Sequence, residues 1–301
     1  MSKAGTSMAR GWWSRVDIFL NKSWREKWSF VRGRWRLYKS NLPSPLRLSF
    51  GAVWLSRNDH FREPLRRGAF ERHELAFVQR FLRPGETVMD IGAHHGLYTL
   101  LASRCVRRSG RVYSFEPSGR ERRALRLHLL LNFCGNVSVQ RVALGREKGR
   151  ADLYLVQGHE RGCNSLRQPK VEGGLRALSV VVETIDEWTA KKRLESVDFI
   201  KIDVEGGELD VLKGAAQLLE GRGRPVILAE VQDIRTAPWG YPAKDIISYL
   251  DERRYSWFSF LEGGLLAPVN LSATEFDGNF LAVPYERLNE VGELVRSEPL
   301  V

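Results

Sequence analysis

Apolar side chains recur every three or four positions from residue 11 to 38: Trp13, Val16, Leu20, Trp24, Trp28, Val31, Trp35 and Tyr38. Arg15, Lys22, Arg25, Lys27, Arg32, Arg34 and Arg36 lie between them. This is the spacing of one helix face, so the segment is predicted to be an amphipathic helix, weakened by Gly33 and stopped by Asn41-Leu-Pro-Ser-Pro45. A second helical pattern runs from Phe70 to Leu82. Beyond Pro84-Gly85 the period changes. Thr87–Ile91, Arg111–Phe115, Val137–Val142, Asp198–Asp203 and Pro225–Glu230 read as buried strands, and Leu97–Val106, Glu121–Leu131 and Glu208–Leu219 as helices. Tyr255–Phe260 and Asn279–Val283 supply the final strands, with a helix over Ile246–Glu252 before them. Strands alternating with short helices predict an α/β fold, a mostly parallel twisted sheet with helices on both faces. Ala151–Val182 breaks the rhythm with two extended segments around a glycine-rich loop, the pattern of an insertion after the third strand.

Composition changes the picture mainly through its distribution. With 301 residues, 43% hydrophobic and 28% charged, the chain is globular rather than disordered or fibrous. The net charge of +11 arises entirely from residues 1–67, with 15 basic and 4 acidic side chains; residues 68–301 balance. The expected organisation is a basic, tryptophan-rich arm (1–67) followed by one domain (68–301) with an insertion at about 150–183. Three uses of the arm are open: a lid packed on the domain, peripheral contact with anionic membrane through residues 11–38, or nucleic-acid binding. Cys105, Cys134 and Cys163 have no C-x-x-C spacing, which predicts neither a disulfide framework nor a metal site. No run has the length and apolarity of a signal peptide or a membrane span, so the expected location is cytoplasmic, with a peripheral position at the inner membrane face open.

Candidate chemistry lies where the first strand of the alternating region ends. Asp90-Ile-Gly92-Ala-His94-His95-Gly96 follows that strand and opens a helix, the geometry in which glycines allow a tight turn and close approach of a nucleotide to the helix N-terminus. Glu116, twenty residues past Gly96, ends the next strand, where a carboxylate can accept hydrogen bonds from two ribose hydroxyls. Further on, Lys201, Asp203 and Glu205 alternate, which predicts that they share one side of a strand and its end, facing the crevice beyond the strand carboxyl ends. Asp203 and Glu205 are therefore expected to orient an acceptor, one of them acting as base. His95 or His94 is the competing base, and caps and ion pairs are the structural alternative. Asp186 and Trp188 are expected to cap and pack a helix.

The glycine loop, with an acid two residues before its first glycine, resembles that of class I S-adenosylmethionine-dependent methyltransferases. The run Asp198-Phe-Ile-Lys-Ile-Asp-Val-Glu-Gly-Gly-Glu208 resembles the long signature of their FkbM family. Gly96-Leu-Tyr-Thr99, Phe115-Glu-Pro117, Asn136-Val137, Ala143-Leu-Gly145, Thr184-Ile-Asp186 and Gly214-Ala215 agree in order and spacing. His94 departs from the asparagine many relatives carry. The resemblance covers roughly residues 85–232 and implies a Rossmann-like class I methyltransferase fold using S-adenosyl-L-methionine. It further implies that Asp90, Gly92, His94 and Gly96 lie by the cofactor's amino-acid portion, Glu116 by its ribose, and Ala143 with Leu144 by its adenine. The acceptor it implies is a hydroxyl of a saccharide, glycolipid or secondary metabolite. A nucleic-acid methyltransferase is the alternative, disfavoured because the body is electroneutral and no Pro-Pro-Tyr or Pro-Pro-Trp follows Asp203. A non-catalytic, membrane-associated nucleoside-binding module is another.

Overall fold

The computed structural model describes residues 43–56, 62–157, 162–171 and 174–296, with the isolated positions 23, 24 and 29. Apart from those three positions, the helix predicted over residues 11–38 lies outside the described residues. A hairpin of β1 (Ser44–Arg47) and β2 (Val53–Ser56) precedes α1 (Arg62–Arg67) and α2 (Arg72–Phe81). The alternation then runs β3 (Thr87–Ile91), α3 (Leu97–Val106), β4 (Arg111–Phe115), α4 (Gly119–Leu131) and β5 (Val137–Gln140). Next come β6 (Ala143–Leu144), β7 (Gly149–Val156), β8 (Leu175–Glu183), α5 (Ile185–Lys192) and β9 (Phe199–Ile202). The chain continues through α6 (Glu208–Lys213), α7 (Ala216–Glu220), β10 (Val226–Gln232), α8 (Asp233–Thr236) and α9 (Lys244–Asp251). It closes with β11 (Tyr255–Phe260), β12 (Leu266–Pro268) and β13 (Asp277–Pro284).

Eight strands form the main sheet in the order β5-β4-β3-β9-β10-β13-β11-β12, parallel from β5 to β10 and antiparallel from β13 to β12. The strands are apolar on both sides because both sides are covered. Met89, Ile91, Ile200, Ile202 and Trp188 share one core, while Val88, Val112, Phe199 and Leu228 share the other with Phe77 and Phe81. Strand alternation decides the side: Phe199 joins the second core and its neighbour Ile200 the first. Strand order reverses between β3 and β9, so a crevice opens beyond their carboxyl ends, where ligands bind in such sheets.

Two local departures from the sequence expectation have identifiable causes. Glu208–Leu219 is two helices, because a Cβ on Gly214 would lie 2.1 Å from the Gly145 carbonyl oxygen and this close approach interrupts the coil. The strand expected over Val137–Val142 stops at Gln140, and the chain turns into β6, which joins β8 and β7 in a separate three-stranded sheet. Trp188 packs edge-on against Phe115, whereas the Asp186 carboxylate caps α7 rather than its own helix, accepting from the Gln217 and Leu218 amides. The β1–β2 hairpin is fastened to α4, where Asn132 exchanges two 2.7 Å hydrogen bonds with the Val53 backbone and Trp54 packs in a cluster with Leu125 and Leu129. Among the described residues no helix is long and apolar enough to cross a membrane.

Candidate active site

The crevice is an open cleft of about 1720 Å³, and every residue nominated from sequence lines it: Asp90, Gly92, His94, His95 and Gly96 from the loop after β3, Glu116 after β4, Ala143 and Leu144 in β6, and Asp203 and Glu205 after β9. The loop is held by its backbone. The Gly92 and Ala93 amides both donate to the Phe115 carbonyl at 3.0 Å, and the Asp203 amide donates to the Ile91 carbonyl at 3.0 Å. Gly92 has φ 84°, and a Cβ there would fall 1.7 Å from the Asp203 carbonyl oxygen. This contact is why the sequence needs glycine at 92: the turn after β3 and the turn after β9 touch there.

Glu116 is buried and accepts the His94 amide on one oxygen (2.9 Å) and the Ser118 amide on the other (2.7 Å). Each oxygen retains a lone pair. Burial pushes this carboxyl up to about 8. Asp90 faces inward, accepting from Thr99 Oγ1, which also contacts Ser114 Oγ at 2.8 Å, so its carboxylate braces the start of α3; burial lifts it to about 6. Ala143 and Leu144, both buried, supply an apolar wall beside Glu116's end of the cleft.

The two histidines stack, their centroids 3.9 Å apart. His95 Nε2 meets Glu121 Oε2 at 2.9 Å. Burial raises the Glu121 carboxyl, but the hydrogen bond from His95 and the Arg120 guanidinium beside it hold it down near 2. His94 is pushed to about 3 by burial and by the neighbouring imidazole, so it is neutral. His128 ties this loop to the hairpin: its Nε2 accepts the Leu55 amide at 3.1 Å, which puts the ring proton on Nδ1, donating to the His95 carbonyl at 2.8 Å.

At the other end, fully buried Lys201 donates to Asp203 at 3.1 Å; desolvation opposes its charge, yet Asp203 and Glu71 keep it protonated. The strand alternation predicted from sequence reaches Asp203 but not Glu205: β9 ends at Ile202, and Glu205 sits in a turn at φ 59°. That turn is pinned by Glu208, whose carboxylate accepts the Val204 and Gly206 amides, and by Ser165 Oγ and Trp239 Nε1, which both donate to the Glu205 carbonyl. Glu205 Oε2 lies 3.0 Å from Arg235 Nε without the alignment of a hydrogen bond. Burial and the Asp203 charge outweigh that cation and carry Glu205 up to about 8, and burial takes Glu208 to about 7. One oxygen from each of Asp203, Glu205 and Glu230 gathers within 4.8 Å, with Lys201 and Arg235 as countercharges.

Sequence reasoning missed the residues that complete these pairs. Glu121 stands in the S-x-x-E pattern of a helix start, Ser118-Gly-Arg-Glu121, which gives no sign of its place in the cleft, and Arg235, Trp239 and the insertion's Asn164 and Ser165 belong to no local motif. Asn164, which bonds Glu121 at 3.2 Å and receives the Val156 amide, is brought to the cleft by the fold of the β7–β8 insertion.

The raised carboxyls make a pH prediction. Asp90, Glu116, Glu205 and Glu208 hold protons in the native state that the unfolded chain, with ordinary values of 3.8 for Asp and 4.5 for Glu, has already released. Their contribution to stability is full below those ordinary values and is lost as pH rises through about 6 to 8. Glu121 has the opposite sign, its contribution vanishing only as pH falls from 4.5 towards 2. His94 and His128, lowered by burial from 6.5, add stability as pH rises to about 6.5, so thermal unfolding of the ligand-free protein should show Tm falling above that, from pH 6.5 to 8.5. A flat or rising Tm would show that these groups are not buried as described.

A glycine turn at the switch point of a doubly wound sheet, with a buried acid after the neighbouring strand, is the arrangement of a Rossmann-like α/β fold of the class I methyltransferase type. Residues 90–257 match the Methyltransferase FkbM domain, and the chain belongs to that family. It is 27% identical over 152 residues to the 2-O-methyltransferase NoeI of Sinorhizobium fredii, a match spanning 46% of this chain and 60% of that one. It is 31% identical over 188 residues to the AMB antimetabolite synthetase AmbE of Pseudomonas aeruginosa, spanning 51% of this chain and 9% of that one. Similar solved structures include a methyltransferase FkbM from Methylobacillus flagellatus (17% identity, TM-score 0.41, 75% of this chain and 55% of that one). Another is an O-methyltransferase from Bacillus cereus in complex with SAH (16% identity, TM-score 0.43, 74% and 89%).

Proposed function

We propose that this chain is an S-adenosylmethionine-dependent O-methyltransferase acting on a hydroxyl of a saccharide, glycolipid or secondary metabolite. The observation that carries the cofactor is Glu116, a buried carboxylate with a lone pair free on each oxygen, between the glycine loop and the apolar wall of Ala143 and Leu144. That donor set suits a nucleoside: hydroxyls to the acid, a flat base to the wall. When bound, S-adenosylmethionine supplies an electrophilic methyl carbon on a positively charged sulfur. Gly92, His94 and Gly96, with Asp90 bracing them, shape the loop beside its amino-acid portion.

The remaining work is positioning and proton transfer. Asp203, held beside the buried Lys201 ammonium, orients the acceptor hydroxyl. Glu205 takes the hydroxyl proton on its carboxylate, beside the Arg235 guanidinium, and its value near 8 suits a base working near neutrality. His95 is engaged by Glu121 and serves better to hold the loop than to accept that proton. A 2-O-methyltransferase among the relatives supports oxygen as the acceptor atom.

Calorimetry with S-adenosylmethionine, S-adenosylhomocysteine and NAD tests the cofactor. The first two should bind, NAD should not, and Glu116→Ala should weaken both by about 30-fold, the loss of two hydrogen bonds at about 1 kcal/mol each. Preference for NAD would overturn the reading.

A further inference from the structure

Charge in the folded domain is balanced in number but not in space. Residues 97–141, covering α3, β4, α4 and β5, contain nine arginines and only two acids, Glu116 and Glu121, and both acids are buried in the cleft. Seven of the arginines are exposed, and none of the seven is in an ion pair among the described residues. Arg104, Arg107, Arg108 and Arg111 line one shallow groove together with Asn132 and Phe133, at the end of α4.

The same face carries apolar side chains with nothing over them among the described residues. α4 turns Leu125, His128 and Leu129 inward, while Leu127, Leu130 and Leu131 are exposed, as are Arg123 and Arg126 on the same helix. Phe133 follows at 93% exposure and Leu130 is 72% exposed. Phe133 also sits at φ 55° in the turn closing α4, where its amide and that of Cys134 bond back to Leu130 and Leu129. A left-handed residue at a helix end is the position glycine fills most readily, and an aromatic there is costly to the backbone. The chain thus bears conformational strain to hold a phenyl ring in water beside four arginines.

We propose that this face, α4's outer side with the Arg104–Arg111 groove, is a docking surface for an anionic lipid bilayer. Leu130 and Phe133 enter the headgroup–acyl boundary and the arginines take lipid phosphates, the division of labour of interfacial membrane binding. Nucleic acid would match the arginines but give no reason for three outward leucines. Arg123 and Leu127 also line the cleft, so a bilayer on this face would abut the cleft mouth. The proposal does not depend on the acceptor being a hydroxyl, and it rests on residues other than those of the predicted arm at 11–38.

Sedimentation of the full-length chain with vesicles tests it, comparing phosphatidylcholine alone with phosphatidylcholine containing roughly one-third phosphatidylglycerol. Binding should require the anionic lipid. Phe133→Gly combined with Leu130→Ser should weaken it at least tenfold, and Arg107→Gln and Arg108→Gln about fivefold each. Phe133→Gly relieves the left-handed strain, so its Tm should equal or exceed that of the unaltered protein, which separates lost binding from lost folding. S-adenosylmethionine affinity should stay unchanged in all of these variants. Three results would overturn the proposal. One is no vesicle binding. Another is binding that the Phe133 and Leu130 changes leave intact while removal of residues 1–40 abolishes it. The third is retention of RNA, lost in the arginine variants, in place of vesicle binding.

Discussion

Gly92→Ala should cost the domain ~3–5 kcal/mol and abolish cofactor binding. Two independent penalties fall on one methyl group. The φ of 84° is strained for any side chain, and the new Cβ would sit 1.7 Å from the Asp203 carbonyl oxygen and 3.3 Å from Val204 Cγ1. Neither obstacle is a flexible side-chain end. The Asp203 carbonyl belongs to the turn after β9, so relief requires moving β3's loop away from β9's, two segments that line the crevice. In a domain of this size the cost corresponds to a Tm lower by about 10 °C. Gly135→Ala is the control, since nothing lies within 4 Å of its Cβ position, and it should melt near the unaltered protein. A Gly92→Ala protein that melts normally and still binds S-adenosylmethionine would mean that the two turns do not meet as described.

Glu205→Gln should lower kcat by about 10²–10³ while leaving S-adenosylmethionine affinity within a factor of about three. The glutamine keeps the shape and the contact region with Arg235 but has no basic oxygen for the hydroxyl proton. The pH profile is the sharper readout. A base with a value near 8 must be ionised to work, so kcat/KM should rise with pH and level off above about 8, and in Glu205→Gln that limb should disappear. Asp203→Asn should behave differently, because Asp203 orients rather than accepts: acceptor KM should rise and the limb near pH 8 should persist. If Glu205→Gln retains both its rate and its pH dependence, the proton goes elsewhere, and His95 becomes the group to replace.

How much of this was legible in the sequence follows from how local each cause is. The strands Thr87–Ile91, Arg111–Phe115 and Tyr255–Phe260 and the helix Leu97–Val106 have the boundaries their apolar patterns predicted, because burial on one or both faces is written in the spacing. The long helix expected at Glu208 broke for a reason 69 residues away, the Gly145 carbonyl under Gly214. Glu205 was expected to face the cleft by strand alternation; it lines the cleft from a turn held by Glu208, Ser165 and Trp239.

The surface shows the same limit. Counting charges made residues 68–301 neutral, yet the fold buries both acids of the 97–141 segment and exposes most of its arginines, four of them around one groove. No count along the chain contains that fact.

By itself, then, the sequence determined the alternating α/β order, the glycine turn after the first buried strand, the acid on the next one and the membership those motifs announce. All of these depend on neighbours within a few residues or on a fixed offset. Only the tertiary structure decided which oxygens stay free, which carboxylates rise towards neutrality and which is pinned beside a buried lysine. Burial and through-space charge set a pKa, and both come from residues that the chain brings together from far apart.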